Sequence, residues 1–308
     1  MTPVDLRTRV GGIELPNPIM TASGTSGYGA ELAAYGPLSG LGAVVVKSLA
    51  ADPWPGNPGP RVSEVAEGML NSVGLSGPGM AAWLDVELPR LAASGARVVA
   101  SIWGRTVGDF ERVARMLTPA GATVIGVEVN VSCPNLKDGS RMFAHSAAAT
   151  AEAVSAAACG RPRWVKLSPA VSNLCEIAQA ALSAGAEALT LVNTLPAMAI
   201  DIEKRRPALG GGTGGLSGRP LHPVAVRAVW ECRQAFADTS IVGVGGIMGG
   251  RDAVELLMAG ADAVQVGTAI FREPRAPWRI LAELERWCRR HRVLRIRDLV
   301  GSAQAWSG

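Results

Sequence analysis

Val127-Glu-Val-Asn-Val-Ser-Cys-Pro-Asn-Leu-Lys137 is the stretch from which the rest of the chain is read. With Val124 and Ile125 ahead of it, its β-branched run has the length and content of a buried strand. The run closes on Asn130. It then presents a thiol at Cys133, a proline that cannot continue a ladder, and a second carboxamide at Asn135. A buried strand ending in reactive side chains and a turn is how parallel α/β proteins present chemistry at the carboxyl edge of the sheet.

Working outward, apolar runs predict further strands at Pro18–Ala22, Gly42–Ser48, Ala96–Ile102, Thr123–Asn130, Arg163–Leu167, Ala186–Asn193, Thr239–Gly243 and Ala263–Gly267. Helical patterns fall between and after them, near Glu31–Leu38, Met80–Ala93, Val107–Leu117, Ala147–Ala158, Leu174–Ser183, Pro223–Ala237, Gly250–Ala259 and Trp278–Arg290. Alternating units with almost continuously apolar strands predict an α/β fold, a closed (β/α)8 TIM barrel, more than an open sheet. An N-terminal hairpin (Leu6–Val10, Gly12–Leu15) is expected to plug its bottom, with extended loops after strands 2, 4 and 6. Leu49–Pro78 and Leu195–Pro220 are too long for plain connections, so both are expected to carry function or their own structure. No repeat or composition break divides the 308 residues, which fit one barrel domain, 1–308.

Composition narrows the function classes. Apolar residues make up 48% and charged residues 18%, an ordinary globular balance. The net charge of +4 is too small to argue for nucleic acid. Cys133, Cys159, Cys175, Cys232 and Cys288 show neither a C-x-x-C pair nor a cluster spacing, and read as reduced thiols of a cytoplasmic protein. The histidines, His145, His222 and His291, are isolated, so no metal site is expected. Neither a signal peptide nor an apolar run long enough to span a bilayer is seen, and no membrane association is expected.

Candidate site residues gather at predicted strand ends. Ala22-Ser23-Gly24 after strand 1 lets backbone approach a flat ligand, unless it is only a tight turn. Lys47, beside Ser48, and Lys166 each close a run of valines, where an unpaired ammonium is costly, so each is expected to meet an anion. Asn71 in the first long loop and Asn193 after strand 6 join Asn130 and Asn135. Four carboxamides on one face suit a ring whose edge alternates N–H and C=O. Any single asparagine is equally at home in a turn. Cys133 has two readings, a small buried residue or a proton-transfer group. Gly245-Gly246 and Gly267-Thr268 follow strands 7 and 8, the usual phosphate position of this barrel. Gly210, Gly212 and Gly215 spell G-x-G-x-x-G, but no strand directly precedes them, which argues against a dinucleotide fold. Arg286, Arg289, Arg290, Arg292, Arg295 and Arg297 read as the solvated side of a terminal helix, with a docking or RNA surface as the alternative.

These residues carry a family resemblance. Asn17-Pro-Ile-Met-Thr-Ala-Ser-Gly-Thr25, Val46-Lys-Ser48, Gly68-Met-Leu-Asn-Ser-Val-Gly-Leu75, Asn130-Val-Ser-Cys-Pro-Asn135, Ala199-Ile-Asp-Ile-Glu203, Thr213-Gly-Gly-Leu-Ser-Gly218, Gly245-Gly-Ile247 and Gln265-Val-Gly-Thr-Ala269 resemble class 1 dihydroorotate dehydrogenases, in the family's order. The resemblance implies a barrel that holds FMN and oxidises dihydroorotate to orotate in pyrimidine synthesis. By motif position it implies Cys133 as general base, with Lys47 beside it in catalysis. Lys47, Asn71, Val73, Gly74, Leu75, Asn130, Asn135, Asn193 and Thr194 would contact substrate. Ala22, Ser23, Gly24, Lys47, Ser48, Ser101, Asn130, Lys166, Val192, Gly218, Gly245, Gly246, Gly267 and Thr268 would line the flavin. The stretches from Cys133 to Gly139 and from Asn193 to Glu203 look like class 1B, whose catalytic subunit pairs with an FAD and [2Fe–2S] subunit that reduces NAD. A homodimer or a heterotetramer is then the expected assembly. Ser101 stands where the family tends to have asparagine, Ser26 where it tends to have phenylalanine, and Trp103 is bulkier than the family suggests. A related flavin barrel acting on dihydrouracil or a tRNA dihydrouridine is the alternative reading.

Overall fold

Valine, isoleucine and leucine on both faces of short segments need cover on both sides, and closure into a helix-coated barrel provides it. A computed structural model of the chain describes residues 3–133 and 142–305. The barrel strands are β1 (Ile19–Thr21), β2 (Val44–Val45), β3 (Val98–Ile102), β4 (Val124–Asn130), β5 (Arg163–Leu167), β6 (Ala188–Leu191), β7 (Ser240–Val244) and β8 (Ala263–Val266). All eight are parallel and hydrogen-bonded in the order β1-β8-β7-β6-β5-β4-β3-β2. A single bridge, Met20 to Ala43, closes the ring between β1 and β2. Gly42 N–H donates to Ile19 O (2.8 Å) and Val45 N–H to Thr21 Oγ1 (3.0 Å) across the same seam.

The two-residue period of the strands separates an apolar bottom from a polar mouth. Met20, Val45, Val99, Trp164, Ala188, Val242 and Ala263 form one buried layer with Val10 and Leu15 of the hairpin Thr8–Val10/Ile13–Leu15. Two residues further along the strands stand Ala22, Lys47, Ser101, Lys166, Thr190, Val244 and Gln265. Glu128 and Asn130 supply the corresponding inward positions of β4. The intervening residues (Val98, Ala100, Ile102, Val127, Val129, Val165, Leu167, Leu189, Leu191, Val264, Val266) belong to the main core under the helices.

Capping residues fix where the helices start. Thr106 and Asp109 form a capping box at Val107–Met116, while Ser146 caps Ala147–Ala156 and Asn173 caps Leu174–Ser183. The helix expected over Glu31–Leu38 is instead two 3-10 turns, Ala30–Ala34 and Leu38–Gly40, because Gly36 and Pro37 interrupt it. The helix expected at Met80–Ala93 is present but contains a π turn, Trp83–Glu87. The strand expected over Gly42–Ser48 pairs regularly only at Val44–Val45. The six terminal arginines are exposed, and Arg289 pairs with Glu285 and Arg295 with Asp298.

The two long loops are not separate structures. Val62–Val65 and Gly68–Asn71 from the first join Gly214–Gly218 and Leu195–Ala197 from the second in a four-stranded antiparallel sheet over the mouth. A further small hairpin, Ile200–Asp201 with Arg206–Pro207, extends from the second loop.

Candidate active site

A cavity of roughly 480 Å³ opens where the strands end, within the usual range for a small-molecule or cofactor site. Its walls include Ala22, Ser23 and Gly24 after β1, Lys47 and Ser48 after β2, Asn130 at the end of β4, and Lys166 on β5. Val192, Asn193 and Thr194 follow β6, Gly245 and Gly246 follow β7, and Gly267 and Thr268 follow β8. The mouth sheet adds Asn71 and Gly218, and the turn after Asn71 adds Val73, Gly74 and Leu75. These are the residues expected there, and the fold brings them together. Asn135 lies outside the described residues.

A chain of amides and hydroxyls runs along one wall. Asn193 Nδ2 donates to Asn130 Oδ1 (3.3 Å), Asn130 Nδ2 donates to Ser48 Oγ (3.2 Å), and Ser48 Oγ lies 2.8 Å from Ser101 Oγ. Ser101 is fully buried behind Ser48 and does not line the cavity, so its part is to hold Ser48. Asn71 Nδ2 donates to Gly215 O (3.3 Å) across the mouth sheet. Thr268 Oγ1 donates to Ser217 Oγ (2.8 Å), tying the end of β8 to that sheet. The Lys47 ammonium donates to Ser76 O. Burial, reinforced by the charge of nearby Arg61, lowers its pKa to about 8.

The opposite end is bare backbone. Gly245 and Gly246 take φ of 143° and 66°, and a Cβ on Gly246 would meet His222 Cβ at 2.6 Å. His222 supports this turn: its Nδ1 lies 2.9 Å from Gly245 O and its Nε2 3.1 Å from Glu255. Because a carbonyl only accepts, Nδ1 donates to Gly245 O. His222 looks isolated in the sequence because its partners lie 23 and 33 residues away.

Cys133 is placed differently from the expectation. It is fully buried against the core, its Sγ donates to Asn130 O (3.3 Å), and it is not among the cavity-lining residues. Burial pushes the thiol up to about 12, against a smaller opposing pull from the Gly104 N–H. Its neighbour Ser132 faces the cavity instead, and Ser132 Oγ is buried without a hydrogen-bond partner among the described residues. Beneath the cavity, Glu128 and Gln265 are fully buried and join Lys166, a constellation sequence reasoning missed. The signal was an acid between Val127 and Val129 and an amide between Val264 and Val266.

Among the described residues no cluster of His, Cys, Asp or Glu could hold a metal, and no helix is long and apolar enough to cross a membrane. A family model described as dihydroorotate dehydrogenase matches residues 5–287. The chain is 44% identical over 302 residues to the dihydroorotate dehydrogenase B (NAD(+)) catalytic subunit of Geobacter sp. (strain M21), covering 97% of this chain and 98% of that one. It is 46% identical over 301 residues to the protein of that name from Desulforudis audaxviator, covering 97% of each. Against the Alkaliphilus metalliredigens protein of that name, identity is 42% over 304 residues, covering 98% of this chain and 100% of that one.

Proposed function

The chain belongs to the dihydroorotate dehydrogenase family, and on that premise we propose that it oxidises dihydroorotate to orotate at the barrel mouth. The observation that carries this reading is the cavity itself. Asn71, Asn130, Asn193 and Lys47 line it together with the bare backbone of Gly245, Gly246 and Gly267. The carboxamides match the alternating N–H and C=O edge of the substrate ring, with Asn135 as a fourth, and the Lys47 ammonium suits its carboxylate.

The cofactor in this reading is FMN. Ala22 to Gly24 and Val192 would face its ring, Lys166 its electron-rich end, and Gly245, Gly246, Gly267 and Thr268 its phosphate. The site fits such a group on its own geometry: a Cβ on Gly24 would meet nothing within 4 Å, whereas one on Gly246 would strike His222, so the turn is built without side chains. When bound, the flavin takes up the hydride that leaves the substrate. Cys133 is the base that removes the neighbouring proton in this proposal, and a positioned base contributes about 10²–10⁴-fold. To act, its Sγ must leave the core-facing position and turn to the side Ser132 occupies. In this proposal the acceptor is NAD, reached through a partner subunit; the NAD(+) and the catalytic subunit in the relatives' names support that much, and FAD and [2Fe–2S] on the partner follow only from the class 1B resemblance. The whole chain works as one domain in the cytoplasm, as a homodimer or within a heterotetramer.

Anaerobic mixing of purified protein with dihydroorotate tests the reading. Flavin absorbance is expected to bleach with dihydroorotate and to persist with dihydrouracil; colourless protein, or bleaching by dihydrouracil alone, refutes it. The RNA alternative is disfavoured by the terminal basic patch, in which Arg289 and Arg295 are already matched by Glu285 and Asp298.

A further inference from the structure

Glu128 projects from β4 into the barrel and is fully buried, and Lys166 from β5 is 4% exposed. Gln265 of β8 joins them across the barrel. Its Nε2 donates to Glu128 Oε2 (2.7 Å), and its Oε1 accepts from Lys166 Nζ (3.2 Å). The amide can face only one way, because an ammonium only donates and a carboxylate only accepts. Glu128 Oε1 lies 3.8 Å from the Lys166 nitrogen and has no hydrogen-bond partner among the described residues. A buried, half-satisfied carboxylate is a poor way to stabilise a barrel, since an apolar residue of similar volume does at least as well. Lys166 is the member of this group that reaches the cavity wall.

We propose that Glu128, acting through Gln265, is a positioning residue that holds the Lys166 ammonium at the cavity wall and offsets the charge it would present to a bound flavin. The amide bridges the two ions and holds the ammonium 3.8 Å from Glu128 Oε1, short of a direct hydrogen bond. Without it, the bare carboxylate draws the ammonium down and away from the cavity. Without the negative charge, the ammonium acts on the flavin unopposed. The proposal rests on the flavin reading above and assigns the electrostatic setting of that site to two residues that do not touch the cavity.

The test uses the flavin-loaded enzyme and sulfite, which donates a lone pair to form an N–S bond at the flavin and leaves negative charge on the ring. Glu128→Gln keeps the hydrogen bond to Gln265 and removes the charge. It is expected to tighten sulfite binding about tenfold and to move the two-electron midpoint positive, tenfold in that equilibrium being about 30 mV. Gln265→Met conserves volume and removes the spacer. It is expected to weaken sulfite binding by a similar factor and to move the midpoint negative; Gln265→Asn, one methylene shorter, serves if the methionine variant does not fold. In a Lys166→Met background the Gln265→Met effect should largely vanish, because it acts by moving the ammonium, whereas the charge removed by Glu128→Gln still counts. Absent shifts, shifts of one sign in both variants, or a Gln265→Met shift that persists without Lys166 overturn the proposal. A wild-type protein that holds no flavin overturns the flavin reading instead.

Discussion

Lys47 and Cys133 are both displaced by burial from their ordinary titration ranges, in opposite directions along the pH scale. Burial lowers Lys47 to about 8, so above that pH the free protein increasingly holds it neutral. A bound carboxylate restores the charged form, so orotate binding should take up a proton between about pH 8 and the ordinary lysine value near 10.4. Calorimetry at pH 9 in buffers of different ionisation enthalpy should show that uptake, and Lys47→Met should abolish it. For Cys133 the thiol is raised to about 12, so the thiolate fraction, and with it the proposed base, grows with pH. Flavin reduction by dihydroorotate should therefore accelerate through the alkaline range. Cys133→Ala should slow it by about 10²–10⁴-fold at neutral pH while flavin content holds. A flat pH profile in stopped-flow bleaching, or an unslowed variant, would remove Cys133 from the chemistry. At this scale the sequence was legible where strand ends converge on Lys47, Asn130 and Asn193. It could not reveal the inward turn of Cys133, since side-chain direction past a strand end depends on backbone with no fixed period.

The decisive element is the mouth sheet, and it was the least legible part. Two long loops were recognisable by length, but a pairing of Asn71 with Gly215, 144 residues apart, leaves no local signature. Glycine at 215 has a definite reason: a Cβ there would fall on Thr194 Oγ1. Gly215→Ala should displace Thr194 and the adjoining Asn193, weakening orotate binding by about 1–3 kcal/mol, roughly 5- to 150-fold. Flavin stoichiometry should be unchanged, because the substitution lies on the substrate side. Orotate titration of the purified variant measures both. The apolar strands were readable because burial on two faces imposes composition. The 3-10 turns at Ala30–Ala34 were not, because Gly36 and Pro37 could equally have followed a helix as broken one.

For the molecule as a whole, several buried thiols govern alkaline stability. Burial raises Cys133 to about 12 and Cys288 to about 11, and Cys232 further still. Their folded values exceed the unfolded one near 8.5, so their contribution is complete below that pH and declines as pH rises toward the folded values. Each thiol that ionises only in the unfolded chain removes about 1.4 kcal/mol per pH unit. Lys47 works the other way between about 8 and 10.4, but one lysine is set against three cysteines. Urea unfolding midpoints should thus fall between pH 9 and 10.5, and a rising midpoint would contradict the thiol assignment.

The bridge from Met20 to Ala43 is the narrowest stave of the barrel, for β2 offers only two ladder residues and a threonine hydroxyl stands in for a main-chain acceptor. A cask leaks first at its thinnest joint. Deuterium should therefore enter the amides of residues 42–47 before those of the other staves, without global unfolding. Ala22 flanks that joint on one side and Lys47 on the other, so a ligand gripped by both would act as a hoop, and orotate should slow the exchange there most of all.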